Sequence, residues 1–399
     1  MPLWQEVRVE VRTDADRVLE QAVEAGAVAG VVAVAADDKG VVYEGAFGKR
    51  AAEGSAPMTL DTVFWIASMT KAITSVAALQ QVEHGRLSLD EPIAGVLPEL
   101  KDPQVLEGFE AKGKPKLRAA KRPLTLRMLL THTAGFTYDI WNADMGRYME
   151  HAKIPGIIAC KNVTLGTPLV FEPGERWEYG INIDWAGKAV EKVSDRSLED
   201  YFKAYIFGPL GMRDSGFVIG PDQRKRLATM HARMPDGALA PIEFEMDQAP
   251  EFFMGGGGLY ATASDYLTFL RALLNKGSLD GVRILSPETV AEMNRNHIGD
   301  LNVTKLVSVI PGSSNDAEFF PGMVKKWGLA YMTSTEAAST GRSADSLAWA
   351  GLGNTYFWLD PSARLAGVFC TQILPFADPQ ALDLFAGWET AVYKKTETN

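Results

Sequence analysis

Between residues 13 and 25 the apolar positions Ala15, Val18, Leu19, Ala22 and Val23 recur with a helical period. Thr13 followed three residues later by Asp16 reads as the capping start of that helix, and Gly26 as its end. Residues 28–36 and 41–47 are β-branched or small apolar runs on either side of Asp37, Asp38, Lys39 and Gly40, which predicts two antiparallel strands joined by a turn. From Thr70 to about Lys276 the spacing is mostly helical, broken by the loops Glu172-Pro173-Gly174 and Phe207-Gly208-Pro209. Strand signals return at residues 327–332, 347–350, 355–359 and 365–371, the last two joined by the turn Asp360-Pro361-Ser362-Ala363. A final helix follows, with Asp378 as cap, Pro379 in its first turn and Leu382, Phe385, Trp388 and Val392 on one stripe. The pattern is simplest if both chain ends build one sheet: an α/β domain of residues 1–75 and 305–399, with 76–304 inserted as a mainly helical domain.

Composition narrows the partners. The formal net charge of −10 disfavours nucleic acid, since phosphate binding draws on clustered Lys and Arg. The basic run 112–122 is interrupted by Gly113 and Pro115 and reads as a solvated loop. The start, Met1-Pro2-Leu3-Trp4-Gln5-Glu6, carries no secretory leader pattern, and no apolar run reaches membrane-spanning length. Cys160 and Cys370 are far apart and could pair, but two cysteines suit a reducing compartment better, so a cytoplasmic location is expected.

The main candidate for chemistry is Ser68-Met69-Thr70-Lys71, after the apolar run 63–67 and before a helical stretch. Residues three apart on a helix share a face, so the Lys71 amine can reach the Ser68 hydroxyl and take its proton if burial lowers the lysine pKa. A helix start also favours negative charge at Ser68. Alone, the spacing is equally that of an ordinary first helical turn. His84, His151, His231 and His297 are scattered without metal-ligand spacing, so neither metal nor cofactor is expected. No Gly-x-Ser-x-Gly nucleophile elbow and no phosphate-binding loop occur.

Several segments, in order, resemble one superfamily: class C β-lactamases, DD-peptidase penicillin-binding proteins and family VIII carboxylesterases. They are Phe64-Trp65-Ile66-Ala67-Ser68-Met69-Thr70-Lys71, the run from Leu124 to Phe136 with Thr131-His132-Thr133-Ala134-Gly135, and Pro173-Gly174-Glu175-Arg176-Trp177-Glu178-Tyr179. Pro209-Leu210-Gly211-Met212 and the run Gly255 to Asp265 complete the series. The resemblance implies a β-lactamase/DD-peptidase-like fold and an acyl-enzyme mechanism with Ser68 as nucleophile. It places Tyr179 beside Lys71 as the second member of a proton relay, and which of the two is the base stays open. It assigns the oxyanion donors to the backbone NH groups of Ser68 and Leu352.

Two departures point to the carboxylesterase branch. Where relatives that process β-lactams carry Lys-Thr-Gly, this chain has Trp349-Ala350-Gly351, and tryptophan supplies no cation for a substrate carboxylate. Two residues beyond Tyr179, where those relatives place asparagine, stands Ile181, with Asn182 one place late. Both changes leave a site suited to esters rather than carboxylated amides. The expected function is hydrolysis of short-chain carboxylic esters, with transacylation if an alcohol replaces water; the rivals are a β-lactamase or D-amino-acid peptidase and a non-catalytic scaffold. Trp349, Gly351, Phe136 and Tyr138 are the expected substrate contacts, with Trp141, Phe252 and Phe253 as further candidate walls. His132 is read as a hydrogen-bonded structural histidine. The expected partner is a small-molecule ester, with no nucleic acid or membrane, and the oligomeric state stays open.

Overall fold

A seven-stranded antiparallel sheet carries the molecule, and it draws on both ends of the chain. The computed structural model describes residues 3–51 and 56–394, with side chains from residue 13 onward. Met1 and Pro2, part of the stretch read for a leader, lie outside the described residues. Helix α1 (Leu3–Glu24) leads into strands β1 (Gly30–Asp37) and β2 (Val41–Gly48). Their turn is closed by the Asp37 carboxylate, which accepts from the NH groups of Lys39 and Gly40 at 2.8 and 2.7 Å. Helices α2 (Thr70–Glu83), α3 (Asn182–Ser194) and α4 (Ala263–Leu274) precede strands β3 (Lys325–Trp327), β4 (Met332–Ser334), β5 (Leu347–Gly351), β6 (Thr355–Asp360) and β7 (Leu365–Cys370). Helix α5 (Pro379–Tyr393) ends the fold, with Asp378 accepting from the Ala381 NH as its cap. The strand order is β3-β4-β5-β6-β7-β1-β2.

The sequence of β1 explains its central place. Six of its eight residues are apolar and buried, so both faces must be covered. Helix α1 packs with α5 and against β2, while α4 packs against β7 and β1. Helix α4 comes from the middle of the chain, so that segment contributes to the sheet's covering as well as to the helical part.

Four expectations change. The first helix starts at Leu3, so Thr13 lies inside it and is not its cap. The apolar run 327–332 is two strands, not one: Gly328 turns the chain, its NH bonding the Tyr331 carbonyl at 2.9 Å. The basic run 112–122 contains a strand (Pro115–Ala119) that pairs with Gln104–Phe109 in a hairpin, where Arg118 bonds Glu107 and Glu172. The middle of the chain also holds strand Tyr260–Thr262, paired with Val63–Trp65, and strands Met230–Arg233 and Leu239–Ile242, the former paired on its other edge with Ile373–Leu374. It is therefore less uniformly helical than its periodicity.

Candidate active site

Strand Val63–Trp65 delivers the chain into a tight turn, Ala67–Met69, that opens directly into α2. The turn is held at several points: the Ile66 NH bonds the Leu259 carbonyl at 3.0 Å, and the Thr70 hydroxyl bonds the Ala67 carbonyl at 2.6 Å. Ala67 sits at φ 44°, a left-handed conformation costly for a residue with a Cβ, and it orients the residue that follows. Ser68 stands at this bend, and Lys71 is one helical turn on.

Lys71 is almost wholly buried, at 1% exposure. Its Nζ reaches the Ser68 Oγ at 3.2 Å, the Tyr138 hydroxyl at 3.0 Å and the Gly256 carbonyl at 2.5 Å. Burial pushes its pKa down to about 7, because a desolvated ammonium is disfavoured, while the charge of Asp184 acts the other way. Tyr179 packs over the same amine, which lies 4.6 Å from its ring centre. Its hydroxyl is within hydrogen-bonding reach of Ser68 and accepts from the Trp349 indole NH at 2.9 Å. Both contacts favour phenolate, but burial outweighs them and raises the phenol above its ordinary value. At rest it is a neutral phenol.

Strand β5 runs along the other side of the serine turn. A Cβ on Gly351 would lie 2.2 Å from the Ile66 carbonyl oxygen, so only glycine lets the strand come this close. Leu352 follows it and lines a small cavity of about 30 Å³ together with Ser68, Tyr138, Ile140, Trp141, Ile158 and Met254. Apart from Ser68 and Tyr138, these side chains are apolar. Larger cavities, such as one of about 560 Å³ between the loop at Phe320 and α5, lie away from Ser68.

A family model described as Beta-lactamase matches residues 15–391. The chain belongs to the beta-lactamase family. Lovastatin esterase from Penicillium rubens is 33% identical over 398 residues, covering 95% of this chain and 98% of that protein. Monacolin J acid methylbutanoyltransferase from Aspergillus terreus is 31% identical over 395 residues, 94% of this chain and 93% of that protein. Among solved structures, the LovD6 mutant of simvastatin synthase from Aspergillus terreus has a TM-score of 0.84 at 30% identity, covering 98% of each chain. The fold is thus that of the beta-lactamases and penicillin-binding-protein-like proteins.

Within this beta-lactamase-family site the expected residues fall into two groups. Ser68, Lys71, Tyr179 and Trp349 converge, with Gly351 and Leu352 beside them. Phe136 does not line the cavity: its ring packs toward Trp185 and borders a separate cavity of about 170 Å³. Phe253 packs on Phe217, and Phe252 is buried, so neither is a wall of this cavity. Tyr138 does line it, and also holds the lysine, a second role its sequence context did not suggest. Asn182 bonds His132 Nδ1 at 3.0 Å and the Phe136 carbonyl at 3.3 Å, so it braces loops instead of facing substrate. His132 Nδ1 also accepts from the Gly180 NH, which leaves its proton on Nε2; burial and Lys71 hold its pKa well below the ordinary value. Its ring packs 4.8 Å from that of Tyr179. Cys160 and Cys370 are both free and buried. No helix among the described residues is long and apolar enough to cross a membrane, and no cluster of three or more His, Cys, Asp or Glu side chains there could hold a metal.

Sequence reasoning missed Asp184. It is 1% exposed, and its Oδ1 accepts from the Gly256 NH at 2.8 Å. Nothing in its neighbourhood along the chain marks it.

Proposed function

We propose that this protein is a serine hydrolase of the family VIII carboxylesterase type, which cleaves small carboxylic esters through an acyl-enzyme and can pass the acyl group to an alcohol. The observation that carries this reading is the meeting of a serine hydroxyl, a buried amine of lowered pKa and a phenol oriented by Trp349. A neutral Lys71 keeps two NH bonds, to Tyr138 and Gly256, and turns its lone pair to Ser68. The proton of Ser68 passes to Lys71 as Oγ attacks the ester carbonyl, and the oxyanion is received by the backbone NH groups of Ser68 and Leu352. The tetrahedral intermediate collapses when the leaving alcohol takes a proton from the Lys71 ammonium, directly or through Tyr179. Water or a second alcohol then repeats the sequence and frees Ser68.

The burial of the phenol and the lowered lysine favour Lys71 as the base and Tyr179 as the group that passes the proton on. The relatives' names support both outcomes of deacylation, one an esterase and one a methylbutanoyltransferase. Trp349 in place of a cation, with an apolar cavity, supports neutral esters over β-lactams. The low count of two cysteines supports the cytoplasmic location. Ser68→Ala is expected to abolish hydrolysis of p-nitrophenyl acetate and butyrate while leaving the circular dichroism spectrum unchanged. Full activity in that variant, or wild-type turnover of nitrocefin faster than of either ester, would contradict the reading.

A further inference from the structure

Lys71 is tied to one more charged group than the proton relay uses. Its Nζ donates to the Gly256 carbonyl at 2.5 Å, and the NH of that same residue donates to Asp184 Oδ1 at 2.8 Å. Asp184 projects from the first turn of α3, and its second oxygen, Oδ2, has no hydrogen-bond partner among the described residues. Leaving a buried carboxylate oxygen unpaired is costly, and such an atom calls for an explanation beyond packing. The loop is shaped around it. A Cβ on Gly256 would lie 2.6 Å from Asp184 Oδ2 and 3.0 Å from its Cγ, so glycine is required at that position for the carboxylate to approach. The neighbouring residue is pinned to α2 as well, the Thr74 hydroxyl bonding the Gly255 carbonyl at 2.7 Å.

We infer that Asp184 is a positioning residue for the proposed acyl transfer: through Gly256 it fixes the acceptor of Lys71 and supplies the buried negative charge that stabilises the ammonium formed when Ser68 loses its proton. This rests on the reading of Ser68 and Lys71 given above. In that step one proton moves from the Ser68 oxygen to the Lys71 nitrogen while the oxygen bonds the acyl carbon, and the ammonium returns the proton to the leaving alcohol. Without a counter-charge the cation would form in a desolvated pocket.

Apart from the carboxylate of Asp139, the other groups facing this pair carry little charge near neutrality. Burial raises the Tyr138 and Tyr179 phenols and the Cys160 thiol, and lowers His132. Asp184 adds to the rise of all three acids, and Asp139, itself raised by burial, acts on Tyr138. Burial raises the Asp184 carboxyl too, and the Lys71 charge opposes that rise.

The test is the pH profile of kcat/KM for p-nitrophenyl acetate in the wild type and in Asp184→Asn, which keeps the shape and the acceptor for Gly256 but removes the charge. The ascending limb is expected to move down by about one pH unit, since an opposite charge close by favours the protonated lysine. The plateau is expected to fall about tenfold, following the weaker base, with KM little changed. A purely structural role would lower the melting temperature or the plateau and leave the limb in place, and that result overturns the inference. Should D184N fail to fold, Gly256→Ala keeps the carboxylate but displaces it and is expected to move the limb the same way; an unmoved limb there counts equally against it. Wild-type activity lost in Ser68→Ala, with an unmoved limb in D184N, leaves the hydrolase reading standing and removes only this one. A wild type that neither turns over the ester nor is labelled at Ser68 by a serine-directed phosphonate removes both.

Discussion

An amine enclosed by a phenol, a carbonyl and a serine hydroxyl has to be neutral before it can accept a proton, and this sets the pH behaviour of the site. Lys71 is lowered by burial to about 7, so below that value it is an ammonium and inert as a base. Ester hydrolysis is therefore expected to rise from pH 6 to pH 8 with a midpoint near 7, checked by kcat/KM with p-nitrophenyl acetate; a flat profile would contradict the role of Lys71. Trp349 is the second residue with a defined task, donating to the Tyr179 hydroxyl at 2.9 Å. Trp349→Phe removes that donor and retains most of the ring, and a hydrogen bond of about 1 kcal/mol corresponds to a fall in kcat of roughly fivefold with KM little altered. A change confined to KM would instead make Trp349 a substrate contact alone. Ser68 and Lys71 were legible because their meeting is local, one helical turn apart. Tyr179 was legible only through its motif, and Asp184 not at all, because its partner Gly256 lies 72 residues away.

Strand β5 and the serine turn depend on each other at the level of elements. Gly351→Ala would bring a methyl to 2.2 Å from the Ile66 carbonyl oxygen and force the strand away from the turn that carries Ser68. Loss of most esterase activity and a lower melting temperature are expected together; an active, equally stable variant would show that the approach is not required. The elements themselves were read unevenly. The hairpin of β1 and β2 and the capped helix α5 announce themselves by turn chemistry and by Asp378-Pro379. The hairpin of β3 and β4 does not, because Leu329, Ala330 and Tyr331 are buried and the turn is as apolar as its strands. Helix α1 was entered ten residues late, since Val7, Val9 and Val11 alternate with charged residues and imitate a strand.

Across the whole molecule, the two ends of the chain are joined by the packing of α1 on α5 and the pairing of β1 with β7, and a buried ion pair ties α5 to the loop before β5. Arg342, in the loop between β4 and β5, bonds Glu389 of α5 through Nε at 2.6 Å and through its second nitrogen, and Thr340 bonds the same carboxylate. Both charged side chains are nearly inaccessible, at 3% and 1% exposure. Glu389→Ala leaves a buried guanidinium unpaired and is expected to cost about 3–5 kcal/mol of stability, read from urea unfolding; a loss below about 1 kcal/mol would mean that water or another acceptor replaces the carboxylate. The division into residues 1–75 with 305–399 and an inserted 76–304 remains our proposal for the architecture. The sheet strands support it, and α4, which lies in the inserted stretch by sequence, packs on the sheet.

The central claim is a covalent one, and rapid quenching followed by peptide mass spectrometry addresses it directly. During turnover of p-nitrophenyl butyrate, an acyl group is expected on the peptide containing Ser68, forming before steady state and disappearing when the ester is exhausted. Continued hydrolysis with no acyl group on Ser68, or with the group on another residue, would contradict it.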